Sequence, residues 1–513
     1  MKITFLGHAG LYLETRHGSI LCDPWFNPAY FASWVPFPSN QELDPATFGS
    51  PDFLYVSHVH RDHLDRSFLR EHVSKDATVI LPDHPLDLVH RELEALGFTR
   101  FVETKTNAPL ELDGGLRVMT VCTIFPADGP LGDSALAIDD GEVRIFDQND
   151  ARPVDLDGTH AFGHFDAHLV QFSGAIWYPM VYRFPQQMKS ALGRKKRETQ
   201  MARSLRYSRQ IGAGWVIPMA GPPCFLDDDL FGLNDLGDDP ANVFPDQTLY
   251  LEYMRDQGAD NGRLMIPGSV ATLDPRRLEI EHPSDPASIF GDKRAYLERF
   301  RERMRPRIEA EKASWPRGQV DVLAELREWF EPVLDLADRT AAAINGRVLL
   351  DLGAPQVVLD FWTRRVDAWE GGECEYRFWV DPALVEQLIT DHDEDWVNRL
   401  FLSCRFEAER HGSYNEYLYS FFKCLSAERI EYAEGCYAEQ LPEREFFECA
   451  GYRIQRRCPH LKADLSRFGV VEDGILTCTL HGWQFELATG RCLTSDDRRL
   501  FSEPIPEPAA AEQ

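Results

Sequence analysis

Two short segments carry residue types spaced for metal or electron chemistry. Near the C-terminal end the chain reads Cys458-Pro459-His460, then seventeen residues, then Cys478-Thr479-Leu480-His481. Two thiolates and two imidazoles in that arrangement are the ligand set of a [2Fe–2S] cluster in which both Cys bind one iron and both His the other. Neutral imidazoles raise the reduction potential, which suits the centre to passing single electrons. A structural zinc site also uses two Cys and two His, but zinc modules usually group Cys with Cys, and here the two types alternate. The second segment is His58-Val59-His60-Arg61-Asp62-His63. These four ligand-type residues follow the apolar run Phe53-Leu54-Tyr55-Val56, and open α/β sheets place their sites at the C-terminal end of such a strand. His58 and His60 share one side at alternate positions. Asp62 and His63 can then serve a second position.

The elements that must position these residues fall into three parts. At 513 residues the chain has room for about three domains. Residues 1–285 read as strands and helices with Gly, Asp and Pro turns; Lys2–Leu6, Leu11–Glu14, Ser19–Asp23 and Phe53–Ser57 are strand-like. Asp83–Leu96 has helical period. A strongly basic helix is expected from about Pro185 to Ile211, and the Asp- and Pro-rich Phe225–Gln247 reads as a surface excursion. A second Pro/Asp-rich stretch, Leu273–Asp292, reads as a boundary. Residues 286–428 promise an α+β middle domain: helices at Lys293–Lys312 and Val320–Asn345, strands at Val348–Leu352, Val357–Trp362 and Tyr376–Val380, and helix again over Trp396–Cys424. Its pattern faintly resembles sterol-carrier folds. Residues 429–506 promise an all-β segment, and 507–513 a disordered tail.

Net charge is −29, which argues against general affinity for nucleic acid or an anionic membrane. Eleven cysteines without a framework spacing, beside a cluster motif, point to a reducing cytoplasm. No apolar stretch is long enough to span a bilayer, and the N-terminus lacks a signal-peptide pattern.

The C-terminal segment resembles the Rieske domain of oxygenases. Leu461 and Gly482 stand where respiratory Rieske proteins carry an extra disulfide-forming Cys. The N-terminal region resembles the metallo-β-lactamase αββα sandwich over roughly residues 1–220, through Gly7-His8-Ala9-Gly10, Cys22-Asp23-Pro24-Trp25 and the His-rich motif. That resemblance implies further ligands. Asp150 occupies the bridging position, with Asp147 as the alternative. The third-motif His is missing, Asp128 is the nearest candidate, and His160, His164 and His168 compete for the last position. These departures from a dizinc pattern fit one iron held by His and carboxylate with open positions.

Together the two modules resemble the nucleotide-sugar N-acetyl hydroxylases. Trp177-Tyr178-Pro179-Met180, the basic run Gly193-Arg194-Lys195-Lys196-Arg197 and Ile217-Pro218-Met219-Ala220-Gly221 strengthen the likeness. The order of modules is most like the enzymes acting on UDP-N-acetylmuramate, ahead of those acting on CMP-N-acetylneuraminate. The resemblance implies a monooxygenase with a Rieske cluster and a mononuclear non-haem Fe(II) at His58, His60, Asp62 or His63 and Asp150. Electrons would come from NAD(P)H through a reductase, with or without a ferredoxin, and leave the cluster through His460 or His481, within a subunit or across an oligomer. Arg194, Lys195, Arg203 and Tyr207 would hold the anionic substrate, unless that run is simply a solvated helix face. Two rival readings remain: a zinc hydrolase with a redox-sensing Rieske domain, and an electron-transfer module with a vestigial metal site.

Overall fold

Period-two alternation gives the N-terminal strands two apolar faces. Ile3, Phe5, Ile20, Cys22, Phe53, Tyr55 and Ile80 point one way, into a core shared with Leu136, Ile138, Ile145, Leu169 and Ile217 of a second sheet. The intervening Leu6, Leu21, Leu54, Val56 and Val79 point the other way, onto Phe68, Leu69 and Leu93 of covering helices. The computed structural model describes residues 1–123, 125, 131–236, 241–439, 445–495 and 498–505. Its first sheet has eight strands in the order Arg277–Glu281, Val270–Asp274, Lys2–Gly7, Gly10–Thr15, Gly18–Cys22, Phe53–Tyr55, Thr78–Leu81, Phe101–Glu103. Pairing is antiparallel as far as Gly18–Cys22 and parallel beyond it. The second sheet runs Trp215–Met219, Ala167–Gln171, Arg144–Asn149, Asp133–Asp139, Arg117–Thr123, Leu110–Glu111. A long helix α1, Gln186–Ile211, covers its outer face through Met201, Leu205, Tyr207 and Ile211. Helix, two facing sheets, helix: this is the αββα sandwich of the metallo-β-lactamase fold.

The middle part is a five-stranded sheet, Arg365–Ala368, Gln356–Asp360, Arg347–Asp351, Tyr376–Val380, Phe406–Arg410, packed by helices. One of these is α2, Glu416–Lys423, with Leu418, Tyr419, Phe421 and Phe422 buried. The segment Trp177–Phe184 joins this sheet from the sandwich side: Arg183 N–H donates to Ala408 O at 2.9 Å, and Ala408 N–H to Val181 O at 3.0 Å. Trp177, Met180 and Tyr182 are therefore part of the middle core. The C-terminal part holds two three-stranded sheets, Phe446–Cys449/Tyr452–Gln455/Ser502–Pro504 and Gly469–Glu472/Ile475–Cys478/Trp483–Glu486.

Several expected elements differ. Val320–Asn345 is two helices, Val322–Leu336 and Asp338–Ile344, broken at Ala337. Trp396–Cys424 is not one helix. Phe406–Arg410 is a strand whose Phe406 and Ala408 face inward, and helix returns only at Glu416. The helix read into Asp83–Leu96 spans Leu88–Ala95. Phe225–Gln247 is no surface excursion in its described residues, for Phe225, Leu226, Leu230, Val243 and Phe244 are all buried. The stretch Leu273–Asp292 begins with a hairpin that extends the first sheet at its edge. Helix Ala427–Ala438 crosses the expected 428/429 boundary and packs on the middle helices. Asp128 and the tail 507–513 lie outside the described residues.

Candidate functional site

Strand ends of both sheets converge on the His-rich segment. Strand Phe53–Tyr55 delivers Ser57 and His58, and its parallel neighbour Gly18–Cys22 delivers Asp23. The turn between the first two strands delivers His8, with Gly7 at φ +102° and His8 at φ +53°. Asp23 and Asn149 also hold positive φ, at 39° and 38°. Such backbone is costly away from glycine and collects at functional sites.

The geometry joins residues far apart in sequence. His63 Nδ1 lies 3.0 Å from Asp23 Oδ2, and Ser57 Oγ donates to the same carboxylate at 2.7 Å. That leaves His63 Nε2 facing Asp150 Oδ1 at 3.7 Å and Asp62 Oδ2 at 4.0 Å. His8 Nε2 lies 3.1 Å from Asp62 Oδ2, while the Tyr30 hydroxyl donates to Asp62 Oδ1 at 2.5 Å. His58 Nδ1 is 3.2 Å from Asp133 Oδ1, and its Nε2 is 2.7 Å from His60 Nδ1. Among the described residues, two triplets have donor atoms within 4.8 Å of one another: His8, Asp62 and His63, and His58, His63 and Asp150. They share His63, whose one uncommitted nitrogen serves a single ion at a time. His63 Nε2, Asp150 Oδ1 and His8 Nδ1 are buried without hydrogen-bond partners. Such atoms are expensive to leave unpaired, and an ion would satisfy them. The donor set of imidazole and carboxylate fits zinc or non-haem iron.

Of the late candidates, Asp150 faces this cluster. Asp147 is wholly buried, and burial, then the neighbouring Asp23 carboxylate, pushes its pKa well up. His168 is buried with Nε2 on Gln148 Oε1 at 2.9 Å, and burial brings its pKa down to about 3. His160 and His164 are exposed, with His160 Nε2 on Gln210 O at 3.0 Å. His8, Asp133 and the supporting Asp23 and Tyr30 went unread in the sequence. The only signals were the Gly7-His8 turn and the Cys22-Asp23-Pro24 step.

The C-terminal ligand candidates also meet. Cys458 and Cys478 are buried and adjacent, and the rings of His460 and His481 are 5.1 Å apart. The Cys458 thiol and the backbone N–H groups of Leu480 and His481 favour thiolate at Cys478. Gly482, at φ +76°, closes the second loop by donating to Cys478 O at 2.7 Å. His460 Nδ1 and both nitrogens of His481 are buried without partners. Burial, then His460, Arg152, Arg203 and Lys196, keeps the His481 imidazole neutral. Two thiols and two imidazoles with orphaned nitrogens fit a [2Fe–2S] cluster.

Helix α1 is the dock for this module. Arg203 donates to Leu480 O at 3.0 Å, and Arg206 Nε to Arg467 O at 2.6 Å. The Tyr207 hydroxyl is occupied by Pro153 O at 2.9 Å, with its ring against Phe468. Of the four residues expected to hold substrate, only Arg203 lines the cavity described next. Arg194 and Lys195 lie on the exposed face of α1, and Lys196 takes their place.

One cavity of about 1150 Å³ receives both centres. His60, Asp133 and Asp150 line one part, and His460, His481 and Trp483 another. Glu416, Ser420 and Lys423 form one face of α2 along its wall. Glu416 Oε2 sits 2.6 Å from His460 Nε2. At the other end, Lys423 helps burial and His58 hold the His60 pKa well down. Seven residue steps of helix, about 10 Å, thus connect the two sites.

Comparison with known proteins agrees with this layout. A model of the Rieske [2Fe-2S] domain matches residues 451–501, and a model described as Rv3818-like, SCP2-like domain matches 322–439. The Rieske 2Fe-2S iron-sulfur protein Rv3818 of Mycobacterium tuberculosis, a provisional name, is 50% identical over 513 residues, covering 98% of this chain and 99% of its own. The chain belongs to the Rv3818-like Rieske iron–sulfur proteins. Another of these proteins, from Mycolicibacterium smegmatis, is 51% identical over 518 residues, covering 98% of this chain and all of its own. Among solved structures, Igni18, a metallo hydrolase of Ignicoccus hospitalis, is similar at a TM-score of 0.37 and 15% identity, over 55% of this chain and 99% of its own. Among the described residues of this Rv3818-like protein, no helix is long and apolar enough to cross a membrane.

Proposed function

We propose that this protein is an oxygen-dependent hydroxylase of the N-acetyl methyl group of a nucleotide sugar, with UDP-N-acetylmuramate as substrate and the N-glycolyl compound as product. The observation that carries this reading is the shared cavity, onto which both the His/Asp cluster and the Cys/His cluster open. A hydrolase has no need of a one-electron centre beside its metal. A monooxygenase does: one oxygen atom enters a C–H bond, and the other leaves as water with two electrons and two protons. Bound at His63 with His58 and Asp150, or with His8 and Asp62, ferrous iron would supply dioxygen activation. The cluster would supply electrons singly, drawn from NAD(P)H through a reductase.

The chain's own residues do the rest. Asp23 and Ser57 fix the His63 ring so that Nε2 faces the site. Aromatic side chains of the middle part, Tyr414, Tyr419 and Tyr437 among them, wall the cavity and limit water. Lys196, Arg152 and Arg203 give it a basic lining suited to an anionic substrate.

The test is aerobic incubation of the iron-replete protein with a reducing system and either UDP-N-acetylmuramate or CMP-N-acetylneuraminate, read by mass spectrometry. A product one oxygen heavier, confined to the acyl group, is expected from the first compound. Bound zinc with oxygen-independent cleavage would overturn the reading in favour of a hydrolase.

A further inference from the structure

Strand Phe406–Arg410 places a charge on its buried face. Phe406 and Ala408 point into the middle core, and period-two alternation puts Arg410 on the same side. Glu407 and Glu409 point the other way, where Glu407 pairs with Arg183 at 2.5 Å and Glu409 lies 3.8 Å from His411. The Arg410 guanidinium lies instead among tyrosine rings. Its central carbon is 5.9 Å from the ring centre of Tyr182 and 6.0 Å from those of Tyr178 and Tyr414. These are cation–π distances. Its other neighbour is the Tyr376 hydroxyl. Arg410, Tyr178, Tyr182 and Tyr414 all line the shared cavity.

Tyr414 is the open side of this group. It is 39% exposed, yet burial, then Glu416, pushes its phenol pKa well up. A ring that is both accessible and desolvated faces the cavity rather than bulk water. Tyr182 and Tyr419 share one hydrogen bond between their hydroxyls at 2.9 Å. Tyr414 stacks on Tyr419 at 5.6 Å with an interplanar angle of 14°. What the group offers a ligand is therefore ring faces and guanidinium N–H donors. Ring faces carry negative charge density, so an oxyanion held by Arg410 would lie against surfaces that repel it. A flat neutral ring stacks on them instead, and a carbonyl at its edge accepts from the guanidinium. Pyrimidine bases combine both features, and base-on-aromatic stacking is favourable in its own right.

We infer that Arg410, Tyr178, Tyr182 and Tyr414 form a subsite for a pyrimidine base, in which the base stacks on Tyr414 and a base carbonyl accepts from the Arg410 guanidinium. The inference deepens the hydroxylase reading and rests on it for a nucleotide as the ligand. It gives the middle part of the chain a task, recognition of the nucleoside, while the sandwich supplies the metal-site candidates.

The experiment uses the full, cluster-loaded chain under nitrogen and measures affinity for three probes by calorimetry. UMP carries base and phosphate, AMP carries a base without a carbonyl, and ribose 5-phosphate carries no base. UMP should bind at least tenfold tighter than either of the others. Tyr414→Ala and Arg410→Gln should each weaken UMP about tenfold or more and leave ribose 5-phosphate unchanged, while Tyr414→Phe, which keeps the ring, should restore UMP binding. An unchanged cluster spectrum certifies the fold of each variant. Equal affinity for UMP and ribose 5-phosphate, equal affinity for UMP and AMP, or UMP affinity unaltered in Tyr414→Ala would overturn the subsite. So would an equal loss of UMP and ribose 5-phosphate, which marks a merely structural role. Should UMP behave as expected while no N-acetyl compound gains oxygen, the hydroxylase reading falls and the subsite stands. Should product form from UDP-N-acetylmuramate with the same KM in Tyr414→Ala and Arg410→Gln, the subsite falls and the hydroxylase stands.

Discussion

The two centres use the same device in mirror image. In the sandwich, His63 gives Nδ1 to the Asp23 carboxylate and leaves Nε2 without a partner, where the proposed ion would sit. In the C-terminal module, His460 gives Nε2 to the Glu416 carboxylate and keeps Nδ1 for the cluster. A ligand histidine is normally oriented and made more basic by such a partner. The difference lies in where the partner comes from. Asp23 stands at the end of a strand directly paired with the one that delivers His58, so a single sheet builds ligand and support together. Glu416 stands on α2 of the SCP2-like part, so the support of His460 exists only when the middle and C-terminal parts are assembled. The sandwich centre is a property of one fold; the cluster's surroundings are a property of the whole chain.

The largest expected effect breaks the two centres apart. Cys458→Ser should remove the cluster's visible spectrum and two irons per chain, and abolish turnover, while the ion near His63 remains. His63→Ala should do the reverse, keeping the cluster spectrum and losing the third metal. Metal analysis beside absorption spectra reads both. Loss of both centres in either variant would mean that they fold as one unit, against the separation drawn above.

That separation also explains what the sequence could and could not disclose. The two Cys/His pairs, which the structure brings together, were legible because Cys-x-His and Cys-x-x-His sit at the tips of two short loops, where local spacing fixes geometry. His58 to His63 were legible for the same reason. His8 and Asp133 reach the site from other strand ends or turns, and no local pattern announces a contact across two sheets; Asp150 was named only through the family resemblance. The basic helix was visible as a run, but a run does not say which face is which. The 3.6-residue period turns Lys196 and Arg203 into the cavity and leaves Arg194 and Lys195 outside. Glu416 was invisible because its partner lies forty-four residues away, in another domain. Alternating inward Phe406 and Ala408, flanked by charged residues, hid a strand inside an apparent helix.

Substitutions of the two supporting carboxylates sharpen the comparison. Asp23→Asn keeps the shape but not the charge, and should weaken metal retention about 10- to 100-fold, read by competition with a chelator, with the cluster spectrum unchanged. Glu416→Gln should act differently. Its cluster is held by two Cys as well as two His, so iron content should stay full. The loss is one charge-assisted hydrogen bond replaced by a neutral one, about 1 kcal/mol, or about 40 mV upward in midpoint for one electron. A loss of iron in Glu416→Gln, or an unchanged potential, would remove α2 from any part in tuning the cluster.

The smallest effect concerns protons, and it separates the basic lining of the cavity from both metal centres. Burial and the two arginines lower the Lys196 pKa to about 8, so the ammonium is present below that pH and lost above it. Arginine stays charged throughout the range. UDP affinity should therefore be level up to about pH 7.5 and then fall, approaching tenfold per unit above 8 as one binding charge disappears. Anion binding stabilises the ammonium, so near pH 8 to 9 complex formation should take up part of a proton, measurable by calorimetry in buffers of different ionisation heat. In Lys196→Arg the profile should flatten and proton uptake should vanish. A profile that keeps its fall in Lys196→Arg would assign the titration to some other group and leave the two arginines to hold the anion alone.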